Sequence, residues 1–415
     1  MSRVKHHRAA FAGFGQSRVF RGPEVPLGDL ALEASLAAIK DTGVELSQID
    51  GVVCTPDAPF SRGNSADGTE FVSTGYMVKA LGVDPRWTAD VPGTIANSTL
   101  AAIRAVESGD CNYALLFRAL HNPGSGSYGH TEETKSGEIQ MSGMEAHFAV
   151  EQFRAPYGLY PPADGAALPW SQYQAKYNSG SREQMAAFVI QARKNGLTYD
   201  GGYWAQYKPV ELTVDEYLNA RMVSRPVSMF DCDLPVQGAG AFIITTAERA
   251  ADLAQPAAYV HGIADGVPPR RSVTVDEALE EQLADNRDIG RRLWADAGCA
   301  PGDVSVANLY DGFSIMTILW MEALGLCGEG EAFDFIQDGR IAPTGKLPIN
   351  PSGGNLGGGR LHGLNHLMDG MLQVAGRSGK RQIKGAELAV VAVGMGWAAG
   401  AFVLGSDPCE HHRAT

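Results

Sequence analysis

The feature that most limits how this chain can fold is an order of segments that occurs twice. Residues 9–15 form an apolar run of strand character. Residues 27–41 form an amphipathic helix, with Leu30, Ala34, Ala37 and Ala38 on one face and Glu33 and Lys40 off it. Ser47-Gln48-Ile49-Asp50-Gly51-Val52-Val53 leads into a second strand. About 250 residues on, the order returns. Residues 257–263 read as a strand and residues 274–297 as a helix, and Pro301-Gly302-Asp303-Val304-Ser305-Val306 leads into a strand that ends at Tyr310. The first copy continues into a helix over 97–107 and a strand over 113–117, the second into a helix over 314–324. Such alternation implies an α/β fold of two related βαβ halves, each a mixed sheet layered with helices. The division falls between residues 1–255 and 256–415. Residues 121–225 interrupt the first half. Rich in Tyr, Pro, Gly and His and too long for a plain connector, they read as an inserted cap or binding-loop region with one helix over 180–196. A strand over 242–246 and a short helix over 247–253 close that half.

Charge and composition exclude several functions. The formal net charge of −13 opposes non-specific binding to nucleic acid or anionic membrane. Residues 1–10 are basic and lack the apolar stretch of a signal peptide. Residues 388–405 carry no charge and reach membrane length. Gly394, Gly396 and Gly400 nevertheless divide them into two short runs, 388–393 and 401–404, which fit two buried strands better than a span. No membrane span and a cytoplasmic location are the expectation. The six cysteines, Cys54, Cys111, Cys232, Cys299, Cys327 and Cys409, are scattered without CxxC spacing and read as reduced thiols, not as a disulfide framework or metal site. His121, His130 and His147 lack the spacing of a metal motif, Gly13-Phe14-Gly15 lacks the third glycine of a dinucleotide fingerprint, and Gly345-Lys346-Leu347 is not a phosphate loop.

Two motifs carry chemistry. Asn308-Leu309-Tyr310-Asp311-Gly312-Phe313-Ser314 places a tyrosine at the start of a helix. Asn350-Pro351-Ser352-Gly353-Gly354-Asn355-Leu356-Gly357-Gly358-Gly359-Arg360-Leu361-His362-Gly363 is glycine-rich enough for its backbone to press against a ligand. With Leu347-Pro348-Ile349-Asn350, Gln373, Gly376-Arg377, Arg381-Gln382 and the final glycines 394–396, their order resembles the thiolase superfamily over nearly the whole chain. Within it the chain is most similar to the lipid-transfer-protein branch related to sterol-carrier-protein thiolases, and there to the thiolase-like aldolases that cleave side-chain acyl-CoA thioesters. A thiolase needs a cysteine nucleophile at a helix start, a second cysteine near the last glycines and an activating histidine. Here Val91-Pro92-Gly93-Thr94-Ile95-Ala96-Asn97-Ser98 holds no cysteine, Ala392 and Val393 stand at the second place, and Gly359-Arg360 replaces the glycine–histidine pair.

What remains suits a carbon–carbon lyase. A retro-aldol cleavage of a β-hydroxyacyl-CoA needs a base for the hydroxyl and donors for the enolate oxygen. Tyr310 is the candidate base, since a nearby cation favours phenolate, and Arg360 is the candidate cation. Arg360 stands where the aldolase branch has a second tyrosine, and His362 is the alternative acid or enolate donor. Asp311 is a helix cap or site support, and Asn350, Gly353, Gly354, Gly359 and Gly93 form the expected oxyanion and CoA loop. Tyr128, Tyr157, Tyr160 and Trp170 suit a loop bordering a bulky steroid side-chain or aryl acyl group. Coenzyme A would enter only as part of the substrate, with no covalent cofactor and no metal. The resemblance further implies a homodimer and a small acyl-CoA-binding partner with an OB-fold and zinc ribbon. Two other classes stay open: a thiolase-type acyltransferase using Cys54, Cys111 or Cys232, and a non-catalytic acyl-CoA or lipid-binding subunit.

Overall fold

The computed structural model describes residues 7–22, 25–56, 66–121, 163–266, 278–395 and 398–408. Its centre is a hairpin-like contact between the first strand of each half. β1 (Ala9–Gln16) and β8 (Ala258–Asp265) run antiparallel, with Ala10 opposite Tyr259 and Phe11 opposite Ala258. The other long strands are β2 (Gly51–Cys54), β3 (Trp87–Asp90), β4 (Ala114–Leu120), β7 (Gly238–Thr246), β9 (Val306–Leu309), β10 (Leu388–Val393) and β11 (Gly400–Gly405). The small strands β5 (Met222–Ser224) and β6 (Val227–Ser228) pair apart from them. The nine long strands make one sheet in the order β3-β2-β4-β7-β1-β8-β11-β10-β9.

Read outward from the β1–β8 contact, both directions repeat one pattern. β1 meets β7 and β7 meets β4 antiparallel, and then β4 and β2 are parallel. On the other side β8 meets β11 and β11 meets β10 antiparallel, and then β10 and β9 are parallel. The uncharged stretch before the C-terminus is therefore two paired strands, β10 and β11, buried almost throughout as its Val/Ala content requires. Among the described residues no helix is long and apolar enough to cross a membrane.

Three apolar layers hold the sheet. The helix Leu27–Thr42 buries Leu27, Leu30, Ala31, Ala34 and Ala38 against the first half. The helices Leu279–Ala297 and Ser314–Ala323 cover the second. Between them the helices Ile95–Ser108 and Leu364–Val374 share one core with residues of both halves, including Phe11, Phe242, Val391 and Phe402. That middle layer brings the start of each of these two helices to the same place.

The inserted region is more helical than its composition suggested. Residues 122–162, with Tyr128, Tyr157 and Tyr160, lie outside the described residues. The remainder forms two long helices, Asp164–Tyr177 and Arg182–Leu197, and two short ones. Pro169 inside the first helix hides it from a propensity reading. Trp170, expected to border a ligand, is instead a core residue: it is fully buried, stacks on Phe333 and donates to the Gly180 carbonyl.

Candidate active site

The strand β9 ends where an asparagine replaces a backbone. The Asn350 side chain accepts from the Leu309 amide at 2.7 Å and donates to the Leu309 carbonyl at 2.9 Å. The next amide, of Tyr310, donates to Ala392 at 2.9 Å, the last bond before β9 and β10 part. Tyr310 thus leaves the sheet at the C-terminal end of two parallel strands, where open α/β sheets place ligands. Its ring turns back over Gly312: a Cβ built there would lie 2.9 Å from Cε1 and 3.0 Å from the hydroxyl. The ring also sits 5.8 Å from that of His366, tilted by 44°. Tyr310 is half-buried, so its phenol is not sealed in the core.

Asp311 turns the other way and is fully buried. Its carboxylate accepts from the amides of Asn355 at 2.7 Å and Leu356 at 3.2 Å and lies 2.9 Å from His366 Nε2. Asp311 therefore caps the short helix Gly354–Gly358 and not the helix that follows it in sequence, because it stands two residues ahead of that helix's cap, Phe313. The following helix is served by Asp231, which receives the Ser314 amide on its carbonyl and the Ser314 hydroxyl on its carboxylate, at 2.9 and 2.7 Å. Burial raises the Asp231 carboxyl above the usual range, while hydrogen bonds from Ser228, Ser314 and Tyr217 work against that shift.

The glycine-rich loop is packed closely on protein. Gly353, Gly354 and Gly359 are buried, as is Asn350. A Cβ at Gly357 would lie 2.1 Å from the Ala192 carbonyl oxygen, and one at Gly354 would lie 2.3 Å from Asp311 Oδ2. The glycines thus let the Gly354–Gly358 helix lie against the helix Arg182–Leu197 and above Asp311. Asn350, Gly353, Gly354 and Gly359, expected in an oxyanion and CoA loop, thus also serve the packing of that loop on protein. The sequence pattern of a ligand cradle and that of backbone-to-backbone packing are the same.

Beyond the glycines the loop returns to the site. The Arg360 amide donates to the Leu234 carbonyl at 2.8 Å, and its buried guanidinium donates to the His121 carbonyl at 3.3 Å. His362 adopts φ 46°, a left-handed conformation unusual for a residue with a side chain. Its Nδ1 lies 3.3 Å from Nη2 of Arg118, which comes from β4. Part of His362 reaches solvent. Desolvation of the ring, with the charges of Arg118 and Arg360, holds its pKa well below the ordinary histidine value.

Gly363 seats this loop on both halves. A Cβ there would lie 2.3 Å from Val393 Cγ1 and 3.2 Å from Ile95 Cγ2. A Cβ on Gly394 would similarly stand 3.1 Å from Thr94 Cγ2. The start of the helix Ile95–Ser108, with Gly93 before it at φ 115°, thus meets the end of β10 beside Tyr310 and His362. Residues 231–236 strap the two loops together: Cys232 pairs with Phe313, the Asp233 amide donates to the Gly312 carbonyl at 3.1 Å, and Pro235 pairs with Arg360.

The described residues 93–96 and 392–395 at this meeting point include no cysteine. Thr94 occupies the helix start and donates to the Ala398 carbonyl at 2.8 Å, while Ile95, Ala392 and Val393 are fully buried. Cys232 is buried in the strap, paired with Phe313, and Cys54 and Cys111 are buried in the apolar core. Burial pushes the Cys111 thiol up to about 12, and pushes those of Cys54 and Cys232 up as well, aided by nearby Asp90 and by Asp231 and Asp233. Thiols of this kind are poor nucleophiles.

The structure brings Tyr310, Asp311, Arg360 and His362 to one region and adds Arg118, His366 and Asp231, which the sequence reading passed over. His366 could have been found from its place four residues after His362 at a helix start. Gln373, Arg377 and Arg381 have structural partners. Gln373 joins Ile383 and Arg381, Arg377 bridges Asp41 at 2.6 and 2.7 Å, and Arg381 pairs with buried Asp369 while lying 4.8 Å over the Tyr199 ring.

Comparison with known proteins agrees with this architecture. Residues 274–406 match the family described as "Thiolase C-terminal domain-like". The chain is 30% identical over 404 residues to the 17-hydroxy-3-oxo-4-pregnene-20-carboxyl-CoA lyase of Mycobacterium tuberculosis, covering 96% of this chain and 99% of that one. It is 28% identical to the steroid side-chain-cleaving aldolase of Thermomonospora curvata over 96% and 98% of the two chains. Among solved structures, the Ltp2-ChsH2(DUF35) aldolase superposes with a TM-score of 0.82 at 27% identity, over 97% of this chain and 99% of that one. The chain belongs to the thiolase superfamily, in its sterol-carrier-protein-thiolase-like branch, close to the acyl-CoA aldolases.

Proposed function

We propose that this protein is a carbon–carbon lyase that cleaves a β-hydroxyacyl-CoA by a retro-aldol reaction, and that its acyl group is bulky, a steroid side chain or an aryl acid. One observation carries the assignment. Among Tyr310, Asp311, Arg360, His362 and His366, Tyr310 and His362 are the two that are more than marginally exposed, beside a helix start and a β10 end without a cysteine. A phenol and an imidazole are the two groups such a cleavage needs. Tyr310 takes the proton of the β-hydroxyl. The bond between the α and β carbons breaks, a carbonyl product forms at the β carbon, and the electrons move into the thioester as an enolate. His362, held neutral, donates a hydrogen bond to the enolate oxygen, Arg360 supplies the field that favours both anions, and the proton taken by Tyr310 passes to the α carbon of the enolate to give the shortened acyl-CoA. A neutral imidazole suits this role because it donates without protonating the base. Asp311 and His366 support the Tyr310 ring from behind.

The full-length likeness to a pregnene-carboxyl-CoA lyase and to a steroid side-chain-cleaving aldolase supports a steroid-linked thioester as substrate. Coenzyme A is then part of that substrate, and no covalent cofactor takes part. The superposable aldolase is one with a DUF35 chain, which supports a partner of that kind here; in our reading it takes the place of the expected acyl-CoA-binding protein with an OB-fold and zinc ribbon. We place the complex in the cytoplasm as a homodimer. β3 ends the sheet with Trp87 and Ala89 partly exposed, an edge that a second copy could extend. Buried, high-pKa thiols weigh against an acyltransferase.

The test is incubation with a panel of β-hydroxyacyl-CoA esters, with and without a DUF35-type partner, following the shortened acyl-CoA and the released ketone or aldehyde by mass spectrometry. Cleavage of tertiary or aryl β-hydroxy esters supports the proposal. Binding without cleavage in both conditions makes the chain a non-catalytic acyl-CoA-binding subunit.

A further inference from the structure

We infer that Arg118 is a positioning residue for the reaction: its guanidinium donates to Nδ1 of His362 and so fixes the imidazole in the neutral tautomer that carries its proton on Nε2. This rests on the reading of His362 as the enolate donor, and names the residue that makes it one.

The geometry leaves little choice. A guanidinium has five N–H donors and no acceptor. When Arg118 Nη2 approaches Nδ1 at 3.3 Å, Nδ1 must be the lone-pair nitrogen, and the ring proton is left on Nε2. An imidazolium, with protons on both nitrogens, cannot accept that bond. Arg118 is itself held on a rigid element. It lies within β4, opposite Gly240 of β7, and is 4% exposed. A buried arginine on a central strand is costly unless its charge is used.

The His362 backbone is equally constrained. Its left-handed φ and the close seating of Gly363 on Val393 and Ile95 set the direction of the ring. The charged groups that face the imidazole are Arg118 from β4 and Arg360 from its own loop. The segments packed around this loop also carry Tyr310 at the end of β9, Asp233 on the strap and His121 at the end of β4. Both nearest charges are positive, so they oppose a third positive charge on the ring. A donor fixed in this way needs no reorientation as the enolate forms.

The test has two arms. In the first, the full-length protein is labelled with ¹⁵N-histidine, and the His362 signal is identified by its loss in His362→Gln. The wild-type ring should carry its proton on Nε2 and show no titration between about pH 6 and 8. In Arg118→Met the signal should show both tautomers, and its titration should move upward from the wild-type value, since one of the two opposing charges is gone. A wild-type ring protonated on Nδ1, or on both nitrogens, overturns the inference.

In the second arm, turnover of a cleavable β-hydroxyacyl-CoA is compared between Arg118→Met and wild type. At pH 8 the variant's kcat should fall about tenfold to a hundredfold, with KM changed far less. The ratio of variant to wild type should then rise as pH falls through the new titration, because an imidazolium again offers a proton on Nε2. Arg118→Lys keeps a charged donor and should hold a nearly pH-independent ratio. A pH-independent ratio for Arg118→Met, with the wild-type tautomer retained, would mean that Arg118 serves only the fold and would overturn the inference. The arms also separate this inference from the functional reading. If His362→Ala, which offers no donor, turns over like wild type, His362 is not the enolate donor, yet the NMR result still decides whether Arg118 sets its tautomer.

Discussion

Replacing Gly312 with alanine tests the placement of Tyr310 without touching its chemistry. An alanine Cβ would lie 2.9 Å from Tyr310 Cε1 and 3.0 Å from its hydroxyl. Carbon atoms rest at roughly 3.5–4.0 Å, so the ring must withdraw by roughly 0.6–1.1 Å. Gly312 is not in the left-handed region, so the substitution adds no backbone strain. It also reduces the freedom of the unfolded chain, a gain of about 0.4–1 kcal/mol where no clash opposes it. Stability should therefore hold within about 1 kcal/mol. Activity should not. A misplacement near 1 Å costs about a hundredfold, or about 2.7 kcal/mol of barrier. The assay is kcat/KM on a cleavable β-hydroxyacyl-CoA beside a thermal melt, with Gly302→Ala as control, since nothing lies within 4 Å of a Cβ there. Wild-type turnover in a folded Gly312→Ala protein would refute the claim that the ring's position over Gly312 matters.

Three further outcomes follow from the structure. His7 lies between Glu107 at 2.8 Å and Asp296 at 2.7 Å, tying the start of β1 to helices of both halves. Burial pulls its pKa down, but the hydrogen bonds to Asp296 and Glu107 outweigh this and raise it to about 9. The raised folded-state value means that the stabilisation is full below about pH 6.5 and fades as pH rises through 9, so Tm should drop over that window and His7→Gln should flatten the drop. Gly354→Ala combines φ 59° with a Cβ 2.3 Å from Asp311 Oδ2. Left-handed strain of about 1–2 kcal/mol and the loss of one of the two amide-to-carboxylate bonds, about 1.5–3 kcal/mol, should lower unfolding free energy by about 2.5–5 kcal/mol, measured by denaturant titration. Finally, acyl-CoA incubation followed by peptide mass spectrometry should find no acyl adduct on Cys54, Cys111 or Cys232. Stoichiometric acylation of any one would restore the transferase reading.

Much of this fold is legible in the sequence because its strands are short apolar runs bounded by turn residues. The expected strand over 9–15 is Ala9–Gln16, and the helix over 27–41 is Leu27–Thr42. The expected strands at the C-terminus are β10 and β11. Glycine caused most of the differences. β7 begins at Gly238, four residues before the apolar run that marked it, since Gly238 and Gly240 pair with β4 while letting Leu361 and Leu364 pack close. The glycine loop read as a ligand cradle makes a helix contact for the same reason. The candidate site was only half visible. Tyr310, Arg360 and His362 announce themselves by motif, whereas Arg118 lies just beyond the strand over 113–117 expected from the sequence. A charge at a strand end reads as solvent-exposed until the topology buries it. Asp311 could not be paired with residues 355–356 from sequence, because that contact depends on where the β9–β10 pairing stops.

The central claim is that a phenol, not a thiol, performs the bond cleavage. Single-turnover kinetics of Tyr310→Phe on a β-hydroxyacyl-CoA that the wild type cleaves test it most directly, with affinity measured alongside by calorimetry. The account predicts near-normal binding and a rate reduced by about 10²- to 10⁴-fold, or about 3–5 kcal/mol. Cleavage at the wild-type rate by the phenylalanine variant would contradict it.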